Sequence, residues 1–500
     1  MEIELHKTDY PGYNKVFCRE LTEEAGGESV VPDVMPDIAE LLRTDGCVFL
    51  HSKENQNGRV LLSGSVQVSV LYRAEDTACP QKLGMELPFQ ISAEDGTLTE
   101  DCVSVADVRL CELDARALNP RKLHVHARLL AELCAYRSVT LSFSDAAVQP
   151  NGTPVIHTKQ ETVSADVVGS VLEKSFILTD EFPLSGTKSP AAELLSEQIG
   201  LFPEEVRFVG NKMIFKGVVR TELIWKCEDD SLCASTFTSG FSQIMETDSA
   251  SENRDVRLSL TLTGAFFELL YETGGVKAAS AQLNILAQAV CTEHREIVCM
   301  TDAYCNTCAL LTEADETQSF CTTEYLELRD NMRGTVELDD TVREVAASTA
   351  CAGKWERSAD GFTCPFQVQL LLRDTEGMLR GVERSFTAKW TLPEGTEAER
   401  LSDIRCTELY AAPASGGVEV RMLTQARASV THSVQLSPLT GMQTDEDSAL
   451  DFALLPSVTV LPEKGGDLWA LAKQYHSTVE WIEKANADNP YSVLLIPKAR

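Results

Sequence analysis

Alternation of apolar and polar residues is the main pattern along the chain. Between Ser65 and Tyr72 valines occupy every second position up to residue 70, and similar alternation returns near residues 123–129, 283–287 and 418–422. A period of two places one row of side chains on a buried face and the other row in solvent, as in a β-strand. The sequence therefore predicts a mainly β protein built from antiparallel sheets.

The same patterns recur at fixed distances. The run Ala39-Glu-Leu-Leu42 returns 153 residues later as Ala192-Glu-Leu-Leu195, and the match continues through the strand that follows. Pairs at this offset are Val60 and Met213, Leu62 and Phe215, Gly64 and Gly217, Val66 and Val219, Tyr72 and Trp225. A weaker third copy lies 300 residues after the first, where Val66–Arg73 falls on Phe366–Arg373. We expect three repeated modules, at residues 1–150, 151–298 and 299–442, each with its own core.

Two local features recur in the two clearer copies. Each module is expected to begin with a short helix, at Pro36 to Arg43 and at Pro190 to Gln198, because proline suits the first turn of a helix. Gly64 and Gly217 lie inside predicted strands, where glycine is less favourable than alanine by roughly 0.5 to 1 kcal/mol. A β-bulge or a close approach of another part of the chain is therefore predicted at both glycines.

The last part of the chain differs from the body in pattern and charge. Residues 443–456 are acidic with little periodicity and are predicted to be a linker, whereas five basic and five acidic residues balance from Ser457 onward. Leu468, Leu471 and Tyr475 have the spacing of a helix face, and Ser477-Thr-Val-Glu480 reads as a capping box that opens a second helix. With short β-like runs on either side, residues 457–500 are predicted to form a small α+β domain of order β-α-α-β.

This arrangement resembles the LysM domain. The resemblance rests on Leu468-Trp469 and Thr478-Val-Glu480 at the starts of the two helices, on Asn486, and on Leu494-Leu-Ile-Pro497 at the end. LysM domains typically bind glycans that contain N-acetylglucosamine, in a groove between the loop before the first helix and the loop after the second. Here Gly465-Gly-Asp467 and Tyr491-Ser492 depart from the usual residues of these loops. Recognition of a protein surface is therefore favoured over sugar binding.

The candidate partner-binding or glycan-binding residues all lie in this domain. Trp481 sits between the inward positions Val479 and Ile482, so an exposed side chain is expected, and tryptophan is common at binding hot spots. Packing of Trp481 against the body and a partly structural role for Trp469 are the alternatives. The candidate set is Gly466, Asp467, Leu468, Trp469, Trp481, Asn486, Asn489 and Tyr491.

The chain as a whole resembles the SipL-type spore-morphogenesis proteins of spore-forming Firmicutes, whose repeats are called SPOCS domains. The resemblance rests on Val31-Pro-Asp-Val-Met-Pro-Asp-Ile38 leading to Gly64–Tyr72, on the second copy, and on the LysM-like domain. It implies a mother-cell protein that docks at the forespore surface by binding the spore-coat morphogenetic ATPase through the LysM-like domain. A peptidoglycan-binding cell-wall protein is the alternative, and a metal-dependent enzyme is a third hypothesis.

Charge narrows the range of partners. The chain has 76 acidic and 44 basic residues, for a net charge of −32, and such a field repels phosphate backbones and anionic lipids. No stretch approaches the roughly 18 to 20 apolar residues of a membrane span, and the polar start Met1-Glu-Ile-Glu-Leu-His-Lys7 does not resemble a secretory signal. We expect a soluble, cytoplasmic protein that neither binds nucleic acid nor inserts into a membrane.

No motif in the chain carries recognisable catalysis. A Gly-rich phosphate loop, a G-x-S-x-G elbow and an H-E-x-x-H helix are all missing, so no catalytic residue, metal or cofactor is assigned and a non-enzymatic protein is expected. His124 and His126 alternate with apolar residues and are predicted to lie on the solvated face of a strand.

The sixteen cysteines are scattered, and free, buried thiols in a reducing compartment are the expectation. Cys305-Asn-Thr-Cys308 is a lone pair. A zinc site there would need Cys299 and Cys321 as further ligands, and redox chemistry would need a βαβ context. Buried or incidental thiols are favoured over both.

Overall fold

A computed structural model describes residues 2–75, 79–148, 155–184, 189–247, 254–272, 275–339, 341–445, 448, 454–462 and 465–498. Of these described residues, 78% lie in strands and 3% are helical, in two helices. The expectation of a mainly β protein with several antiparallel sheets is confirmed.

Three stretches of the body have the same strand order. We name them sandwich 1, 2 and 3. In each, the first strand pairs with the sixth and the sixth with the fifth, while the third strand lies between the second and the fourth. Sandwich 1 consists of β1 (Leu5–Val30), β2 (Ile38–Gln56), β3 (Arg59–Ala74), β4 (Gln81–Glu94), β5 (Val103–Asn119) and β6 (Lys122–Ala147). Sandwich 2 consists of β7 (Ile156–Pro183), β8 (Ala191–Val209), β9 (Lys212–Cys227), β10 (Leu232–Glu246), β11 (Arg254–Glu272) and β12 (Gly275–Cys305).

Sandwich 3 has the same order with one short additional strand, β16. Its strands are β14 (Gln318–Glu337), β15 (Val342–Ala352), β16 (Glu356–Ser358), β17 (Gly361–Asp374), β18 (Leu379–Thr391), β19 (Arg400–Ala414) and β20 (Gly417–Leu436). The core of each sandwich lies between its two sheets. In sandwich 1, for example, Leu62 of β3 and Leu129 of β6 belong to one buried cluster. The alternating residues of the sequence therefore fill these cores.

The chain between and after the sandwiches forms a small ribbon at one end of the body. β13 (Ala309–Ala314) pairs with β21 (Leu439–Asp445), and the amide of Ile3 donates to the carbonyl of Met442 at 3.0 Å. The predicted boundary after residue 298 falls inside β12. Residues 443–445 of the predicted linker belong to β21, and most of the remaining linker lies outside the described residues.

The two short helices predicted at the module starts are wrong. Residues 38–43 belong to β2 and residues 191–198 belong to β8. Both strands contain register shifts at matching places, between Ile38 and Glu40 and between Ala191 and Glu193, each followed by a second shift three residues further on. A bulge breaks the period of two, so the apolar spacing in these strands imitates that of a helix.

The prediction for the two matching glycines is confirmed. A Cβ atom at Gly64 would lie 2.2 Å from the carbonyl oxygen of Phe49, and one at Gly217 would lie 2.5 Å from that of Phe202. Both glycines also lie beside register shifts in the partner strand. Glycine is needed here because another strand passes where a side chain would stand.

The third strands of all three sandwiches meet at one apolar cluster. Leu71, Ile224 and Leu371 are each 0% exposed and pack in the same cluster, which we name the central junction. These residues are related by the sequence offsets of 153 and 300 residues. Around them the contacts are cyclic, because β4 packs on β8, β10 on β15, and β18 on β2. Three head-to-tail contacts therefore close a ring.

Hydrogen bonds and ion pairs also connect the sandwiches. Arg43 of sandwich 1, buried at 3% exposure, donates to Asp45 at 2.8 Å and to Glu222 of sandwich 2 at 2.6 Å. Arg109 donates to the carbonyl of Ala352 in sandwich 3 at 2.6 Å. Loss of one partner from a buried ion pair lowers the free energy of unfolding by roughly 3 to 5 kcal/mol. Displacement of sandwich 1 relative to sandwich 2 is therefore unfavourable.

A second polar contact joins all three sandwiches through Glu132 on β6. Its carboxylate pairs with Arg257 of sandwich 2 and, at 3.1 Å, with Arg400 of sandwich 3. Asp107 lies directly opposite Glu132 on β5. Burial and the neighbouring Glu132 carboxylate raise the pKa of Asp107 to about 6. Two adjacent carboxylates thus share the positive charge supplied by the other sandwiches.

We predict that Asp107→Asn stabilises the protein at neutral pH. Because the folded state binds the Asp107 proton more tightly than the unfolded state does, the free energy of unfolding should fall as pH rises from about 4 to 6. The variant should lack this contribution and gain about 1 to 2 kcal/mol above pH 6. Urea unfolding between pH 4 and 8 measures it, with exposed Asp339→Asn as the control. A variant that is no more stable than the wild type at pH 7.5 would contradict the prediction.

Candidate partner-binding site in the C-terminal domain

Two helices and a two-stranded sheet form the C-terminal domain. In chain order these are β22 (Val458–Leu461), α1 (Leu468–Gln474), α2 (Val479–Asn486) and β23 (Leu494–Pro497). β22 and β23 pair in antiparallel fashion. The observed order of elements is β-α-α-β.

Local capping sets the start of each helix. Asp467 is the N-cap of α1, and its carboxylate accepts from the amide of Trp469 at 3.0 Å. Gly466, just before it, has φ +104°, a conformation that favours glycine. The N-cap of α2 is Thr478, whose hydroxyl accepts from the amide of Trp481 at 3.1 Å. The predicted cap at Ser477 is wrong by one residue, because the Ser477 hydroxyl instead donates to the carbonyl of Pro497.

Two of the candidate residues, Leu468 and Trp469, pack against the core of the domain. Ala472, Ile482, Leu494 and Ile496 are buried together, and Leu468 packs against them. Val479 and Trp469 also contact this core. Leu468 is partly buried and contributes to the packing of the fold.

Asn486 and Asn489 use their side chains inside the domain. The amide of Asn486 donates to the carbonyls of Ile482 and Leu495, both at 2.7 Å, and its oxygen accepts from the amide of Leu495 at 2.9 Å. Asn489 donates to the Asn486 oxygen at 3.1 Å and to the carbonyl of Val493 at 2.8 Å. These bonds tie α2 and the following loop to β23, so both asparagines act as structural residues.

One face of the domain is fixed on the body through β12. The indole nitrogen of Trp469 donates to Asp302 at 2.8 Å, and Lys473 pairs with the same carboxylate at 2.6 Å. The rings of Trp469 and Tyr304 meet edge to face, with their centroids 4.9 Å apart. The Tyr304 hydroxyl donates to the carbonyl of Ser477 at 3.0 Å. We name this set of contacts the body dock.

The electrostatics of the body dock match its hydrogen bonds. Burial raises the pKa of Tyr304 to about 12, so its hydroxyl remains a donor at neutral pH. Burial opposes ionisation of Asp302, yet hydrogen bonds from Lys473 and Trp469 hold the pKa of this carboxyl below its ordinary value. Asp302 is therefore ionised and accepts charge-assisted hydrogen bonds, which are stronger than neutral ones.

Two aromatic residues of the domain that take no part in the body dock are exposed to solvent. Trp481 is 49% exposed and Tyr491 is 70% exposed, as expected for Trp481 from its position on α2. Val458 and Val460 on the outer face of β22 are also exposed. Sequence reasoning did not identify these two valines, although their alternation with Thr459 is the signal that could have found them. Of the candidate residues, Trp481 and Tyr491 offer the largest exposed apolar surface.

The cysteines depart from expectation at one place. Cys18 and Cys134 form a disulfide, so the expectation of free thiols is wrong for these two residues. They lie directly opposite each other on β1 and β6, and cross-strand neighbours have their side chains within reach. Among the described residues, thirteen of the other cysteines carry free thiols. Cys18, Glu132 and Cys134 lie close enough together to be metal ligands. The two sulfur atoms are bonded to each other, however, so this group offers no thiolate in this structure.

The pair Cys305 and Cys308 lies at the end of β12. Both residues are buried, and their sulfur atoms lie 3.5 Å apart. In the part of the chain that the structure describes, no group of three potential metal ligands includes either of them. His124 and His126 are half-buried, and their neighbours Leu123 and Val125 are 0% exposed.

Comparisons with protein-family models, with curated proteins and with solved structures find no match to this chain. Neither of the helices in the described part of the chain is long and apolar enough to cross a membrane.

We predict that Asp302→Ala loosens the C-terminal domain from the body without unfolding either part. The change removes the acceptor of Trp469 and Lys473, and hydrogen bonds to charged groups contribute about 1.5 to 3 kcal/mol each. Amide hydrogen exchange of α1 and of the strand end at residues 301–305 should accelerate in the variant. Exposed Asp488→Ala is the control. Unchanged exchange at both segments would show that the body dock does not hold the domain.

Proposed function

We propose that this protein is a non-enzymatic adaptor of spore-envelope assembly. It docks on the spore-coat morphogenetic ATPase at the forespore surface, in the cytoplasm of the mother cell, and the LysM-like C-terminal domain makes the contact. The body consists of three copies of one SPOCS-like module. Both assignments rest on the resemblances carried by Val31–Tyr72 and Leu468–Pro497.

One observation carries the role of the domain. The body dock fixes the face of α1 that carries Trp469 and Lys473, while Trp481 on α2 stays half exposed. A tryptophan that is neither needed for the local core nor covered by the body is typical of a binding anchor. A fixed domain also loses less freedom on binding than a tethered one, which favours affinity.

Sugar recognition is supported less well. Glycans are bound largely through polar side chains and backbone groups, and the side chains of Asn486 and Asn489 are engaged within the domain. The exposed ring of Tyr491 is the feature that favours the alternative, a peptidoglycan-binding protein, because an aromatic face can stack on a sugar. Both functions can be tested on the same variants.

We predict that Trp481→Ala weakens binding of the full chain to the purified ATPase about thirtyfold, equivalent to about 2 kcal/mol. Its melting temperature should stay close to that of the wild type, because Ile482 supplies the buried side of α2. Tyr410→Ala is the matched control, since Tyr410 is an exposed aromatic residue of the body, at 58%.

The readouts are a titration for affinity and sedimentation with purified peptidoglycan. Unchanged affinity of a folded Trp481→Ala variant would remove this residue from the contact. Sedimentation with peptidoglycan in the absence of ATPase binding would replace the adaptor function with the alternative.

A further inference from the structure

Cys305 and Cys308 flank the turn between β12 and β13, and their sulfur atoms are 3.5 Å apart. Contacts with β7 hold this turn in place. The side-chain nitrogen of Asn306 donates to Nε2 of His157 at 3.0 Å. The ring of Tyr304 packs on the same histidine, with the ring centroids 5.0 Å apart. The two thiols are therefore kept in contact by bonds to another strand.

The sulfur of Cys305 is surrounded by hydrogen-bond donors. The amide of Thr307 donates to it at 3.4 Å, and the Thr307 hydroxyl lies 3.2 Å from it. The thiol of Cys308 donates to it at 3.5 Å, and the backbone amide of Cys308 bonds to it as well. Donors that converge on one sulfur favour its thiolate form over its thiol.

The two thiols consequently differ in their ionisation. Burial opposes ionisation of Cys305, yet hydrogen bonds from Thr307 and Cys308 hold the pKa of this thiol below its ordinary value. Burial and the neighbouring Cys305 raise the pKa of Cys308 to about 11. One thiol therefore ionises readily while the other keeps its proton. This is the division of roles between an attacking cysteine and a resolving cysteine.

A second close pair of cysteines provides a comparison within the chain. The sulfur atoms of Cys227 and Cys233 lie 3.9 Å apart, and Cys233 is more exposed than Cys305. Burial and the neighbouring Cys227 raise the pKa of Cys233 to about 11. Proximity of two sulfur atoms is therefore common to both pairs, whereas the lowered pKa is a feature of Cys305 and not of Cys233.

We infer that Cys305 and Cys308 are a reversible dithiol site that hydrogen peroxide oxidises to a disulfide. The Cys305 thiolate is the attacking group, and Cys308 is the resolving group. A small oxidant suits this turn, because Cys305 is 5% exposed and lies beside the partly exposed Thr307. The site is on the body, so this inference does not rest on the partner of the C-terminal domain.

The reaction balances in two steps. The Cys305 sulfur attacks one oxygen of hydrogen peroxide, the O–O bond breaks and hydroxide leaves, so that a sulfenic acid forms on Cys305. The Cys308 sulfur then bonds to that of Cys305, the S–O bond breaks, and the hydroxyl group leaves with the Cys308 proton as water. The two thiols are thus oxidised while the peroxide is reduced to water. Two molecules of a small thiol reverse the change and are oxidised to their own disulfide.

The test uses the full chain, first reduced and then treated with hydrogen peroxide at neutral pH. The remaining thiols are alkylated after set times, and the peptides are identified by mass spectrometry. Cys305 and Cys308 should form their disulfide at least about tenfold faster than Cys227 and Cys233. Dithiothreitol should restore both thiols. Because Cys233 is more exposed than Cys305, exposure alone would give the opposite order of rates.

Substitutions in the turn assign the roles of its residues. Cys308→Ser should leave a sulfenic acid on Cys305, which is detected by trapping with dimedone. Thr307→Val removes the hydroxyl donor and should slow disulfide formation roughly threefold. Thr307→Ser is the matched control, because it keeps the hydroxyl and should react as the wild type does. The comparison of the two cysteine pairs uses the wild type, so it decides even if a variant does not fold.

Equal rates of oxidation for the two pairs in the wild type would overturn the inference. So would a sulfenic acid trapped on Cys308 in a folded Cys305→Ser variant but not on Cys305 in a folded Cys308→Ser variant, because Cys305 would then not be the attacking group. Tightly bound zinc that protects Cys305 and Cys308 from peroxide would assign the two thiols to a metal site, and this result would also overturn it.

Discussion

Burial of Leu71, Ile224 and Leu371 in one cluster is the contact on which the rest of the structure depends. Leu71 and Ile224 lie on the central strands of three-stranded sheets, and Leu371 lies on the central strand of a four-stranded sheet. A sheet buries its inner face in its own sandwich, so an apolar residue on the outer face needs a second partner. The partner here is the equivalent residue of the other two sandwiches. In this arrangement the fourth strand of each sandwich lies against the second strand of the next sandwich.

The end of β12 holds the C-terminal domain on the body. β12 belongs to sandwich 2 and continues to Cys305, and Asp302 and Tyr304 lie among its last residues. Asp302 binds Trp469 of α1 and Tyr304 binds the carbonyl of Ser477, while Trp481 of α2 remains exposed. The polar contacts of Arg43, Arg257 and Arg400 with carboxylates of neighbouring sandwiches place basic residues inside a chain of net charge −32. The excess of negative charge is therefore partly offset where sandwiches meet.

The parts of the fold that depend on local pattern were predictable from the sequence. Alternation identified the strands around Val66 and Val125, and the matching glycines at 64 and 217 identified a close approach. The exposure of Trp481 followed from its helical position. The start of β2 was misread because its bulges replace the period of two with a spacing like that of a helix.

Features that join distant parts of the chain could not be predicted in this way. The disulfide of Cys18 and Cys134 spans 116 residues, and Asp302 meets Trp469 across 167 residues. No local pattern relates the members of either pair.

Hydrogen exchange of a Leu371→Ala variant tests the role of the central junction most directly. Truncation of a buried leucine costs about 2 to 5 kcal/mol, and the account predicts faster exchange in β3 and β9 as well as in β17. Leu370→Ala is the matched control, because this neighbour packs inside sandwich 3 and should affect that sandwich alone. Faster exchange confined to sandwich 3 in the Leu371→Ala variant would contradict the claim that the three sandwiches depend on one shared contact.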